Sequence, residues 1–195
     1  MKILRHRVPR FTALRRICAD DRASQIAEFA VSLPLLVLFV IGIFDFSSAI
    51  TLKQKLTNAA RDGARAAAAD PANDVSAVNA NLPVSVVDAF YVVDNYLIAE
   101  QINDCGLAAV KPTFTSGLAW VSTATGCPGG TSNGLVLTIT RGCIAQQASG
   151  TYAVGTCVTI RYPYSWQFGG VSGLFGGTFT GPTSITTTSA AFNEN

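Results

Sequence analysis

The 195-residue chain holds one histidine and five cysteines, and their positions limit the chemistry open to it. His6 lies among cations near the N-terminus. No second imidazole exists for a Ser/His/Asp or Cys/His nucleophile, or for a zinc site that needs several. Tyr, Asp and Ser are scattered without a spacing that specifies acid-base or nucleophilic work. Glycine is plentiful, but no GK[ST] follows it to make a phosphate loop. The expectation is a protein that is not an enzyme and uses no cofactor.

Cys18 stands in the cationic head, apart from Cys105, Cys127, Cys143 and Cys157. Those four contain no CxxC spacing, which argues against the rival reading, a zinc site, so no metal is expected. An even number of cysteines on an oxidising side of a membrane reads as two disulfides, with three connectivities open. Cys143 with Cys157 is favoured, because they fall at facing ends of consecutive expected strands and close a hairpin loop. Cys105 is then left with Cys127.

The elements that must position these residues begin with a membrane segment. The chain is 49% hydrophobic and 13% charged, with a mean hydropathy of +0.34, unusually apolar for a soluble domain. Residues 29–44, FAVSLPLLVLFVIGIF, carry no charge. With Ile26 and residues 49–50 the apolar stretch is about 25 residues, or roughly 37 Å of helix, enough for a hydrocarbon core of about 30 Å. Glu28 and Asp45 flank the uncharged run. Seven of the fourteen Lys and Arg precede it, against Lys53 and Lys55 just after it. The positive-inside rule then keeps the N-terminus cytoplasmic and places the rest outside. After residue 66 only Lys111, Arg141 and Arg161 are basic, against seven carboxylates, so nucleic acid is not an expected partner. A cleavable secretory signal ending at SSA, residues 47–49, is the alternative, but its apolar core and its lead-in would both be long.

The segment TLKQKLTNAARDGARAAAAD continues as helix. Leu52, Leu56, Ala59, Ala60, Gly63, Ala64 and Ala67 recur at three- and four-residue steps. The small residues around Gly63 suit close approach of another helix; packing on the protein's own outer domain explains them as well. Asp70 before Pro71 ends the helix. One helix over 24–69 is expected, bent at Pro34.

Three short stretches in register carry a family resemblance. DRASQIAEF places a glutamate five positions after a small residue and just ahead of the apolar span, and resembles the processing site of prepilins of the tight-adherence type. AEFAVSLPLLVLFVIGIFDF resembles the opening of the TadE-like family, and NAARDGARAAA is similar to its AAREGAR element. The ending ITTTSAAFNEN resembles the family's C-terminus more loosely. Ala23 stands where prepilins usually have Gly, and Phe29 where they have Tyr.

The resemblance implies a pilin-like membrane subunit, a pseudopilin or minor pilin, acting in assembly of a tight-adherence pilus. It implies cleavage by a prepilin peptidase between Ala23 and Ser24. Other pilin-like subunits and the pilus assembly machinery are the implied partners, in the bacterial inner membrane with the C-terminal domain periplasmic. The new α-amino group of one subunit would pair with Glu28 of a neighbour where helices bundle. Glu28 resting unpaired at the interface is the alternative. The competing function is a secreted or membrane-anchored β-rich binding module or adhesin, outside any pilus.

Three segments follow: a basic leader over 1–23, the helix over 24–70 and an extracytoplasmic domain over 71–195. In the last, Ser85 is an N-cap candidate for a helix over 86–102. Beyond Cys105 the composition turns to glycine with Thr-, Val- and aromatic-rich runs. Strands are expected at 113–122, 135–143, 157–162 and 184–192, with Asn133–Gly134 as a turn and Leu135, Leu137 and Ile139 sharing one face. The fold class is α+β: a long N-terminal transmembrane helix of pilin-like spindle form, then a small domain with one further helix and an antiparallel sheet. Residues 166–177, WQFGGVSGLFGG, read either as a cap on a small core or as a sticky surface loop.

Overall fold

The computed structural model describes residues 21–77, 82–127, 134–146, 150, 152–166 and 181–193. The chain divides into two compact units, Met1–Phe44 and Asp45–Asn195. Helix α1 is Asp21–Ala69, with Pro34 inside it. In the first unit its apolar side chains face outward: Ile26, Phe29, Val31, Leu36 and Phe39 are all more than half exposed. Over Ser24–Ala69 it is long and apolar enough to cross a membrane.

In the second unit, two helices cover one face of a sheet. Helix α2 is Val84–Ala99, and short 3-10 turns at Ala72–Ala77 and Leu107–Ala109 precede and follow it. Strands β1 (Thr113–Phe114), β2 (Ala119–Ala124), β3 (Leu135–Gln146), β4 (Tyr152–Pro163) and β5 (Ser184–Phe192) form an antiparallel meander in sequence order. Each strand neighbours the next, so no crossover connection is needed. The fold is α+β, as the change of composition at Cys105 implied.

Alternation along the strands decides which side chains reach the core. Trp120, Leu137, Ile139, Val158 and Ile160 are buried between sheet and helices, while Thr138, Thr140 and Thr159 take the outer face. From the helices come Leu56, Ala59, Ala60, Ala64 and Ala67 of α1, and Val86, Ala89, Phe90, Val93 and Leu97 of α2. The alanines matter geometrically, because short side chains let the axis of α1 settle close to both α2 and the sheet.

Four expected elements have their boundaries corrected. Residues 113–122 form two strands, since Gly117 and Leu118 both have positive φ (60° and 59°) and Ala119 N–H donates to Ser116 O at 3.1 Å. Two central residues of positive φ are the signature of a type I′ hairpin turn. Helix α2 starts earlier and ends earlier than 86–102, and Ser85 is inside it rather than capping it. Pro83 is the N-cap residue, and the Ser85 N–H donates instead to Asp74 Oδ2 at 2.9 Å. Strands β3 and β4 run longer than the segments 135–143 and 157–162. Asn133 and residues 167–177 lie outside the described residues.

Candidate functional site

The residues expected to matter fall at different places. Ala23 and Ser24 stand in the first turns of α1, and Glu28 follows one turn later, exposed. All three belong to the first unit. Gly63 lies in the second.

The small-residue face is filled from within the chain, the second of the two readings open for it, packing on the protein's own outer domain. A Cβ built on Gly63 would stand 2.7 Å from Val93 Cγ2 and 3.3 Å from the Ala89 carbonyl oxygen, both on α2, and 3.8 Å from Val158 Cγ1 on β4. Those distances leave no room for a side chain. The physical reason is that α2 and the sheet already bury this stripe, so its small residues serve the domain's own packing.

What holds the end of α1 in place is a residue that sequence reasoning passed over. Neither α1 nor α2 has a basic residue in its last turn, and each receives a cation from elsewhere. Arg141 of β3, 2% exposed, donates from Nη1 to the carbonyl of Ala67 and, at 2.8 Å, to Thr156 Oγ1; from Nη2 it donates to the Asp70 carbonyl at 3.1 Å. These carbonyls are the unsatisfied, electronegative end of the helix, where a cation is favoured. Asp74 lies 3.7 Å from Arg141 Nη2 and places its other oxygen on the N-terminus of α2. One ion pair thus ties the negative end of α1 to the positive end of α2. Lys55 repeats the device on a half-exposed site: its Nζ is 3.1 Å from Glu100 Oε2 and donates at 3.1 Å to the Glu100 carbonyl, just past α2.

A β-bulge begins at Arg141. The β3–β4 register steps from Thr140 opposite Cys157 to Cys143 opposite Gly155, leaving one extra residue in β3. Arg141 keeps the inward parity of Leu135, Leu137 and Ile139. Past the bulge, Cys143 is shifted to the face of Cys157. The disulfides are Cys143–Cys157, Cα atoms 5.9 Å apart, and Cys105–Cys127, 4.3 Å apart. Among the described residues no group of three or more His, Cys, Asp or Glu is placed to hold a metal ion.

At the other end of the domain, Asp45 is buried one residue past the uncharged run. The Tyr164 hydroxyl lies 3.1 Å from Asp45 Oδ1 and 3.1 Å from its main-chain oxygen. Burial first, then the hydrogen bond and charge of Asp45, push the Tyr164 hydroxyl up to about 12. The Tyr164 ring meets Trp166 edge-on at 5.0 Å, and the Trp166 indole N–H donates to the Pro182 carbonyl at 2.7 Å.

Residues 23–65 match the family model of the TadE-like protein. The match runs from Ala23 through the uncharged run and Asp45 to Arg65, covering both the candidate span and most of the packed stripe of α1. No curated protein and no solved structure matches the chain.

Proposed function

We propose that this chain is a pilin-like membrane subunit, a pseudopilin or minor pilin, that acts in assembly of a tight-adherence pilus. The observation that carries the reading is a coincidence of two segments. The stretch matching the TadE-like family, 23–65, falls on the helix that is long and apolar enough to cross a bilayer. The cation-rich head keeps the N-terminus cytoplasmic and sends the α+β domain to the periplasm, where its two disulfides are chemically at home. Prepilin peptidase cuts between Ala23 and Ser24, and the freed amine pairs with Glu28 of a neighbouring subunit. The domain boundaries at 23 and 70 follow from that division of labour.

N-terminal mass spectrometry of protein extracted from its native membrane tests the processing step, with Ser24 expected as first residue. A first residue at Ile50 would instead establish an ordinary signal peptide and favour the secreted binding module. Glu28→Gln keeps shape and hydrogen bonding but removes the charge. It should insert normally, yet fail to restore surface pili to a deletion strain. Full piliation by this variant would reduce the helix to a tether.

A further inference from the structure

Helix α2 carries large apolar side chains on the side that faces solvent, among Asp88 and Asn95, as well as on the side that faces the core. Val84, Tyr91 and Ile98 are 62%, 55% and 57% exposed. They recur every seven residues, so they form one stripe along the helix. Asp88 stands in the same stripe, and α2 carries only one other charge, the buried Asp94. Large apolar side chains aligned on the outer face of a helix mark a face that a partner can cover.

The outer side of α1 has the complementary form. A groove of about 440 Å3 is lined by Ile50, Lys53, Gln54, Thr57, Asn58 and Arg61. Its lining combines apolar Ile50 with the cations Lys53 and Arg61. The sequence has the same polarity over longer range: residues 71–110, which contain α2, carry five carboxylates and no Lys or Arg. Arg65 extends the cationic side of α1, exposed one turn beyond Arg61.

We infer that the outer stripe of α2 docks into the α1 groove of a second copy of this chain, with Tyr91 seated in the groove and Asp88 paired to Arg61. Tyr91 offers a flat apolar ring with a polar tip, the side-chain type that most often anchors an interface. A guanidinium in the lining meets both the ring face and the Asp88 carboxylate. The contact is head-to-tail, since groove and stripe are different surfaces, and such contacts propagate into open assemblies unless the rotation closes. This inference rests on the proposed pilus reading for its purpose, but its test does not depend on pili.

Two differently tagged full-length copies are co-expressed and one is captured from detergent-solubilised membranes. Native copies should co-purify. When both copies carry Tyr91→Ser, recovery of the second tag should drop at least ten-fold, and likewise when both carry Asp88→Arg. Copies that both combine Asp88→Arg with Arg61→Asp should regain co-purification. Thermal unfolding of each variant should match the parent, because all three side chains are exposed. Unchanged recovery with Tyr91→Ser and Asp88→Arg overturns the proposal. Failure of the charge swap to rescue overturns the assignment of the α1 groove. So would loss of co-purification that is rescued only by swaps at Lys111 or Arg161. Piliation scored in parallel reports on the pilus reading alone: copies that associate without forming pili leave this contact standing.

Discussion

The Arg141 guanidinium donates to the carbonyl of Ala67, across 74 residues of sequence, and so closes the C-terminal end of the long helix. The same group reaches Thr156, the Asp70 carbonyl and Asp74. Removing it would leave the Ala67 and Asp70 carbonyls without their donor and the Asp74 carboxylate without its ion-pair partner. Loss of one partner of a buried pair costs about 3–5 kcal/mol. Arg141→Met should therefore destabilise the protein by that order, read as a lower midpoint in urea unfolding of the detergent-solubilised chain. Arg141→Lys should recover only part of the loss, since one ammonium cannot span the same set of acceptors. Unfolding midpoints equal to the parent for both would show that the end of α1 needs no cation.

Gly63 gives a prediction of opposite kind, where adding atoms is the injury. A methyl group there would press on Val93 Cγ2 at 2.7 Å, closer than van der Waals contact. Overpacking of a well-filled core costs about 1–3 kcal/mol. Gly63→Ala should lower stability by that amount, and Val93→Ala should lower it separately by opening a cavity. Combined, the two should cost less than their sum, because the second removes the atom the first strikes. Strict additivity would mean that the two residues do not touch.

Much of this arrangement was legible in the sequence, for physical reasons that differ by element. The candidate span is a property of composition over 29–44. Strand faces follow from period two, so Leu135, Leu137 and Ile139 sort correctly without any tertiary information. Gly63 shows where such reasoning stops. The spacing of small residues announces close approach, but not whether the partner is α2 of the same chain or a helix of another. Ser85 misled because its type and its distance from Asp88 suit a capping box, whereas the cap came from Asp74, eleven residues back. Arg141 carried no local signal at all. The one clue was indirect: neither helix ends in a basic residue, so each needed a cation from elsewhere.

The disulfide beside the bulge should contribute stability mainly through the unfolded chain. Cys143 and Cys157 are 14 residues apart, and closing a loop of that size removes unfolded-state entropy worth about 3 kcal/mol. The double variant Cys143→Ser, Cys157→Ser should be less stable by roughly that much, while the β3–β4 pairing on either side of the bulge keeps the fold. Urea unfolding compared with the parent measures it. A variant that no longer folds at all would show that the bridge sets the register past Thr140, a larger role than entropy alone.

Asp94 predicts a dependence on pH. Its side chain is buried in α2, with Oδ1 lacking a hydrogen-bond partner among the described residues. Burial, with the Asp104 charge adding to it, raises its carboxyl above the ordinary value of 3.8. The folded protein therefore holds this proton more tightly than the unfolded chain does. As pH climbs from 3.8 through the raised value, the folded state keeps a proton that the unfolded state has given up, so stability falls over that interval. Above the raised value the whole penalty is in place; well below 3.8 both states are protonated and it is gone. Asp94→Asn supplies a neutral side chain of the same shape at every pH. The variant should melt higher than the parent at pH 7, and the gain should shrink to nothing by pH 3. Taking the difference between variant and parent at each pH cancels the other titrating groups. A variant that melts lower than the parent at pH 7 would mean that the charged carboxylate is stabilised where it lies, and that Asp94 belongs with Asp74 among the acids that hold the helices.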